Sequence, residues 1–271
     1  MIKRFVIGLL AVASFQFASA QSDDFGYELS VAGETKLYRG LKLEIEGSMR
    51  TQDDAERIDR FVVGAGLSYR LYQTLDKRFS VKASAGFDYM WTYRLAETEI
   101  KTDNFVLEAD NSITYAYNET DSYWRNRHRT NVGLSLSYAP NKRWSFGLKE
   151  TLQYTHFCNV DSIGRTKWRF NDDDELYSRF DPTSKGHKDQ TILRSKFSVS
   201  YDIKGIPIDL FASVEYGCGL NYTANKWKFT GGYDYKINKQ NKLSLYYRYN
   251  TENDDDEVNG HMVGLGYKID F

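Results

Sequence analysis

His128, Thr130 and Glu150 place an imidazole, a hydroxyl and a carboxylate near the middle of the chain. A base within hydrogen-bond reach can turn a hydroxyl into a nucleophile, and a carboxylate can orient that base. In an extended segment His128 and Thr130 share one face, because alternate side chains point the same way. A short hairpin after Tyr138 is expected to carry Thr130 near Glu150 on the following strand. On an apolar face such a trio would act on a phospholipid ester. No Ser stands where a hydrolase would need one, and a bulge could turn Glu150 to the other face. The first reading therefore assigns no catalytic residue and keeps this trio as the enzymatic alternative.

A second constellation is made of charges. If Thr130, Val132, Leu134 and Leu136 face outward, then Arg125, Arg127 and Arg129 face inward. The same parity turns Lys149, Arg194 and Lys196 inward, and on the first two segments it does so for Glu28, Glu34, Glu44 and Glu46. One wall would be basic and another acidic, an arrangement that selects charged solutes in pores. In a filled barrel the same groups would pair with one another and serve structure alone. His156, His187 and His261 show no metal-ligand spacing. The runs Asp172–Glu175 and Asp254–Glu257 lack the alternating ligands and turn Gly of a calcium loop, so no metal and no cofactor is assigned. Gly64, Gly66, Gly264 and Gly266 fall on the inward parity, where they would relieve crowding in a curved wall. Cys158 and Cys218 read as free thiols.

The elements that must hold these residues are strands. The chain has 271 residues with 21 Tyr, 16 Phe and 5 Trp but only 3 Pro, which favours strands and disfavours helices. In Arg78–Tyr93 the odd positions from Phe79 to Tyr93 are apolar, while the even ones run Ser80, Lys82, Ser84, Gly86, Asp88, Met90 and Thr92. That alternation marks a strand with one wet and one apolar face. It recurs in Phe25–Leu37, Leu41–Arg50, Phe61–Leu71, Thr130–Tyr138, Trp144–Tyr154, Leu193–Tyr201, Ile208–Tyr216, Trp227–Ile237, Leu243–Tyr249 and His261–Phe271. Short polar turns follow Leu71, Tyr138, Asp202 and Ile237, while longer connections fill Arg94–Tyr123, Phe157–Lys188 and Thr251–Gly260. Tyr89, Trp91, Tyr93, Tyr138 and Trp144 cluster at the ends of rows whose middles are smaller, such as Ala83 and Ala85. Aromatic ends around an aliphatic band suit the two membrane interfaces. The expected fold is an all-β, antiparallel transmembrane barrel with short periplasmic turns and longer extracellular loops. Eleven segments are visible, and because bacterial barrels have even strand numbers the expectation is about 12 strands, with 10 as the fallback.

Residues 1–20 read as a secretory leader: Lys3 and Arg4, an apolar stretch too short to span a bilayer, then Ala18-Ser19-Ala20. The barrel domain would occupy residues 21–271. The net charge of −1 gives no reason to expect nucleic acid as a partner.

The stretches WRNRHRTNVGLSLSY, RWSFGLKETLQYT, GGYDYKINKQNKLSLYYRYN and HMVGLGYKIDF together resemble the Gram-negative outer-membrane barrels called domain of unknown function 2490. The likeness covers most of the chain after the leader, except Ala96–Glu119 and Val160–Lys188. It implies a barrel in the outer membrane, among lipid and lipopolysaccharide, and brings no activity with it. The alternating ending with Tyr267, Ile269 and Phe271 is similar to the signal read by the barrel-assembly machinery. The function expected is a small pore for charged solutes or a structural barrel. The alternatives are a phospholipid-acting enzyme and a surface-binding barrel that uses its long loops.

Overall fold

The structure is a computed structural model and describes residues 24–107, 112–222, 225–252 and 259–271. The expected leader, residues 1–20, lies outside the described residues, as does the run Asp254–Glu257. Eleven strands form the wall: β1 (Asp24–Tyr38), β2 (Leu41–Gln52), β3 (Arg57–Gln73), β4 (Phe79–Arg94), β7 (Tyr123–Tyr138), β8 (Trp144–Phe157), β13 (Lys188–Asp202), β14 (Ile208–Gly219), β15 (Asn225–Lys236), β16 (Asn241–Glu252) and β17 (Gly260–Asp270). Each of the eleven alternating segments is one of these strands. The remaining strands belong to two connections: β5 (Glu97–Leu107) and β6 (Ile113–Thr120) between β4 and β7, then β9 (Val160–Ile163), β10 (Arg165–Phe170), β11 (Leu176–Phe180) and β12 (Thr183–Lys185) between β8 and β13.

The wall closes with eleven strands, one fewer than expected. An even count follows only where every neighbouring pair is antiparallel. Here β1 and β17 run parallel, from Asp24 beside Gly260 to Glu34 beside Asp270, and this one seam permits an odd number. It also puts the start of β1 at the rim of the long connections and the end of β17 at the rim of the short turns.

The short-turn rim is fixed by local polar caps. The Asn141 side-chain oxygen accepts the backbone N–H groups of Arg143 (2.8 Å) and Trp144 (3.0 Å). Asn238 does the same for Gln240 and Asn241, both at 2.8 Å. These are Asx turns, in which a short side chain satisfies backbone donors where the ladder ends.

Side chains obey the alternation throughout. Leu29, Val31, Ile45, Val63, Leu134, Leu148 and Phe229 stand on the outer surface and are exposed. Aromatic rings collect at both rims of that surface. Near the long connections Tyr89 meets Trp91 at 4.5 Å and Tyr93 meets Trp124 at 5.2 Å, while near the short turns Trp144 meets Tyr201 at 4.8 Å. A continuous apolar outer wall with polar residues within is the reverse of a water-soluble sandwich, whose apolar faces are hidden.

The two long connections fold together above the barrel. β5, β6, β10 and β11 make a four-stranded sheet in the order β11-β10-β6-β5, and β9 pairs with β12. Arg165 binds Asp181 at 2.8 Å, and Lys167 pairs with the same carboxylate. Hydrogen bonds from Lys167, and then from Arg165, hold the Asp181 carboxyl below the usual carboxylate range.

Candidate functional site

The structure does not assemble the enzymatic trio. His128, Thr130 and Glu150 all face outward, but Thr130 lies opposite Tyr154, and Glu150 lies opposite Leu134. Four residues of strand separate Thr130 from the carboxylate, about 13 Å at strand rise. The expected proximity fails because the β7–β8 register is counted outward from the Tyr138–Phe146 pair, which places position 154, not 150, beside Thr130. Glu150 instead accepts a hydrogen bond from the Ser195 hydroxyl at 2.6 Å, and no bulge turns it inward. The His128 ring packs on Tyr89 at 4.9 Å.

Three of the four histidines come together despite their spacing in the sequence, while His261 packs apart from them on Tyr249 at 4.8 Å. His128 faces His156 across β7 and β8, with ring centroids 6.3 Å apart, and His187 lies 6.1 Å beyond. His156 bonds Asp189 at 2.7 Å, and the Tyr154 hydroxyl donates to the same carboxylate at 2.9 Å. Among the described residues no group of three or more His, Cys, Asp or Glu has metal-binding geometry. At Asp172–Glu175 the Asn171 side chain caps the turn by accepting the N–H groups of Asp173 (3.0 Å) and Glu175 (2.8 Å). Cys158 and Cys218 are free.

Inside the barrel most charges meet on adjoining strands rather than on two segregated walls. Arg129 binds Asp88 at 2.7 Å, and Asn131 donates to the same oxygen at 2.9 Å. Arg194 grips Glu215 with Nε at 2.9 Å and donates through Nη1 to Gln153 at 2.7 Å. Glu28 accepts from Arg248 at 2.6 Å and from the Tyr246 hydroxyl at 2.5 Å. Glu34 holds both Lys42 and Lys268, the latter at 2.7 Å, and Glu44 stands 3.5 Å from Lys268. Such pairing offsets the cost of placing ions in a narrow space. Two glycines make room for it: a β-carbon at Gly64 would overlap the Asp88 carboxylate, and one at Gly264 would overlap the Tyr246 ring.

Three charges expected inside stay outside this lattice. Glu46, Lys149 and Lys196 make no ion pair within 4.0 Å among the described residues. β8 and β13 lie five and six places from β1 in the eleven-strand ring, directly across from β1 and β2. Glu44 and Glu46 therefore face Lys149 and Lys196 across a shared cavity of 350 Å³. A second cavity of 570 Å³ adjoins it toward the short-turn rim, lined by Ser30, Ser137, Ser200 and Ser244 among others.

The long-loop end of the bore is packed. Met90, Phe157, Ile192 and Met262 point inward there and are buried, as are Thr92, Gln190 and Asn250. Phe157, 1% exposed, lies beneath two guanidinium groups, Arg127 at 4.4 Å and Arg125 at 5.1 Å from the ring centroid. Arg125 also donates to the Cys158 carbonyl (3.0 Å) and the Gly186 carbonyl (2.6 Å), tying the layer to both ends of the β8–β13 connection. Arg125 and Arg127 thus belong to a cap, and of the three arginines only Arg129 lines the cavities. This layer is absent from the sequence reading. Its signal is present nonetheless: Met90, Phe157, Ile192 and Met262 are apolar residues on the otherwise polar parity, all at one rim.

At the opposite rim Tyr267 donates to Asn241 at 2.8 Å, and the Phe271 N–H donates to the Glu34 carbonyl at 2.8 Å. Ile269 lies beside Gly33 on β1, with the exposed Phe271 ring against the same residue.

A family model described as "Protein of unknown function (DUF2490)" matches residues 25–261. No curated protein matches the chain. Among solved structures the chain is similar to the beta domain of the Bordetella autotransporter BrkA, at 9% identity and a TM-score of 0.38 over 86% of this chain and 82% of that one. It is similar also to the CymD monoaromatic hydrocarbon channel, at 10% identity and a TM-score of 0.37 over 87% and 84%. A third is the translocator domain of the autotransporter NalP from Neisseria meningitidis, at 13% identity and a TM-score of 0.30 over 96% and 92%.

Proposed function

The chain belongs to the DUF2490 family of proteins of unknown function, and on that premise we propose that it is an outer-membrane barrel passing small charged solutes through a capped lumen. Short turns face the periplasm and long connections the exterior, as in barrels of this kind. Lipid and lipopolysaccharide surround the apolar wall, and Tyr267, Ile269 and Phe271 present the ending that the barrel-assembly machinery takes. The observation that carries the reading is the uncompensated charge across the bore, Glu46 facing Lys149 and Lys196 over one cavity. A barrel filled only for stability would pair or remove these groups, because an unpaired ion in a confined space is expensive. A cross-lumen field instead orients and selects a charged solute. The apolar and arginine layer at Phe157 is the closed gate of this path, since a dry constriction stops ions by excluding water.

Recording from the purified barrel in a planar bilayer tests this. Brief openings are expected, and their reversal potential in a salt gradient should move toward cation preference in the Lys149→Glu/Lys196→Glu double variant. A folded, inserted barrel that stays silent at every voltage, wild type and Phe157→Ala alike, would leave a structural role. A second reading, surface binding, is favoured by one feature of the upper sheet. Tyr117 and Trp168 stack there at 5.6 Å on a sheet whose edge strand β11 is exposed along its whole length.

A further inference from the structure

We propose that Lys82, Ser135, Lys149 and Lys196 form a binding site in the lumen for an oxyanion group, phosphate in the first instance. The four residues make one row across four adjacent strands. Lys82 of β4 is opposite Ser135 of β7, Ser135 is opposite Lys149 of β8, and Lys149 is opposite Lys196 of β13. All four carry the inward parity. Lys149 and Lys196 are direct cross-strand neighbours, with β-carbons about 5 Å apart in such a pair. Lys82 lies two strands away from Lys149, about 10 Å. A tetrahedral anion with donors on several sides fits between ammonium groups at these spacings, with the Ser135 hydroxyl as a further donor.

This row differs from the rest of the bore. The lumen cations Lys42, Arg129, Arg194, Lys228, Lys242, Arg248 and Lys268 each have a carboxylate within 4.0 Å. Lys82, Lys149 and Lys196 have none among the described residues, and the nearest acid in the row, Glu215, is already held by Arg194 and Lys228. Like charges set directly opposite on adjacent strands destabilise a sheet. On the far side of the row Lys196 is opposite Glu215, which Arg194 and Lys228 share, so the row keeps an excess of positive charge and departs from local consistency in the way functional positions do. Glu46 on the facing wall lines one cavity with Lys149 and Lys196 and disfavours an anion on its own side.

This inference rests on small charged solutes entering the lumen, as proposed above, but not on conduction through it. The test is equilibrium dialysis of labelled inorganic phosphate against the folded full-length barrel in detergent, with succinate and chloride as competitors. One phosphate per barrel is expected. Affinity should fall at least tenfold in each of Lys82→Ala, Lys149→Ala and Lys196→Ala, and change less than twofold in Lys242→Ala, whose partner is Asp234. Displacement by succinate as well as phosphate would identify an oxyanion site of either kind; displacement by phosphate alone would identify a phosphate site. Denaturant midpoints supply a second readout. Lys149→Ser should raise stability by relieving repulsion, which a lysine with a purely structural role would not do. No phosphate binding by the wild type, or equal losses in Lys242→Ala, would overturn the site. A barrel that conducts without binding would overturn this inference alone, and one that binds without conducting would overturn only the conduit.

Discussion

Replacing Phe157 by Ala removes the centre of the layer at the long-loop end. The ring is 1% exposed, so nearly all of its side-chain surface is withdrawn from water. A buried aromatic covers about 150–250 Å², which at about 25 cal/mol per Å² is roughly 4–6 kcal/mol. Compactness of the unfolded chain lowers that by about 10–40%, to about 2–5 kcal/mol. Direct experience with Phe→Ala in packed sites gives about 3–5 kcal/mol. The guanidinium groups of Arg127 and Arg125 at 4.4 and 5.1 Å also lose a ring face, each interaction being worth about 0.5–2 kcal/mol. Phe157→Leu keeps apolar bulk and loses only the ring faces, so it should cost about 1–4 kcal/mol. Urea unfolding of the barrel in lipid vesicles, followed by Trp fluorescence, should resolve the two variants. If the layer also opens by itself, about 3 kcal/mol corresponds to a shift of roughly a hundredfold in its closed-to-open ratio. Bilayer recordings of Phe157→Ala should then show a much higher open fraction. A loss below about 1 kcal/mol together with unchanged openings would refute the reasoning that this layer is packed and that it gates.

The parallel seam predicts that a Leu29→Cys/Leu265→Cys pair, in a background with Cys158 and Cys218 replaced by Ser, oxidises to a disulfide, because the two positions are directly paired; failure to cross-link would favour a different closure. Gly264→Ala should lower the unfolding free energy by about 1–3 kcal/mol by forcing the Tyr246 ring off its site, read as a lower denaturant midpoint. Asp181 stabilises the upper sheet through Lys167 and Arg165. Because its carboxyl titrates lower in the folded state, that support is complete above the ordinary carboxylate pKa and is lost as pH falls through the depressed one. Tryptic cleavage at Arg165 and Lys167 of the intact barrel, after brief incubation in acid, should rise with falling pH, and Asp181→Asn should show the raised level throughout. Deleting Phe271 should sharply reduce the amount of barrel recovered in the outer membrane, and unchanged recovery would count against its role in assembly.

The wall was legible because period-two alternation is enforced along each strand by the boundary it separates. Each of the eleven segments read from the sequence is a wall strand, and the expected count of about 12 lies one above the eleven that close the wall. Evenness is a property of antiparallel closure, and nothing local to β1 or β17 reveals that their pairing is parallel. Inward parity could likewise be assigned residue by residue for Arg129, Lys149 and Glu46. Which charges pair could not, because that depends on register between strands distant in sequence, as for Arg248 and Glu28. The β7–β8 register, by contrast, follows from a hairpin pair: fixing Tyr138 against Phe146 sets Thr130 against Tyr154 and separates it from Glu150. The same hairpin register sets His128 against His156, and only His187 depends on the longer connection, since β13 returns to β8 after β9–β12. In the connections β5–β6, β9–β12 and β10–β11 pair locally, and it is the joining of β10 to β6, Arg165 opposite Thr120, that no single connection reveals.

The most direct measurement is a single-cysteine scan from Val132 to Ser137 on β7, in the cysteine-free background, with the barrel in lipid vesicles. Val132, Leu134 and Leu136 should react only with a membrane-soluble maleimide, while Gly133, Ser135 and Ser137 should react with a small charged thiol reagent from the aqueous phase. Reactivity that does not alternate, or six positions equally open to the charged reagent, would contradict a wall with lipid on one side and a charged, solute-accessible lumen on the other.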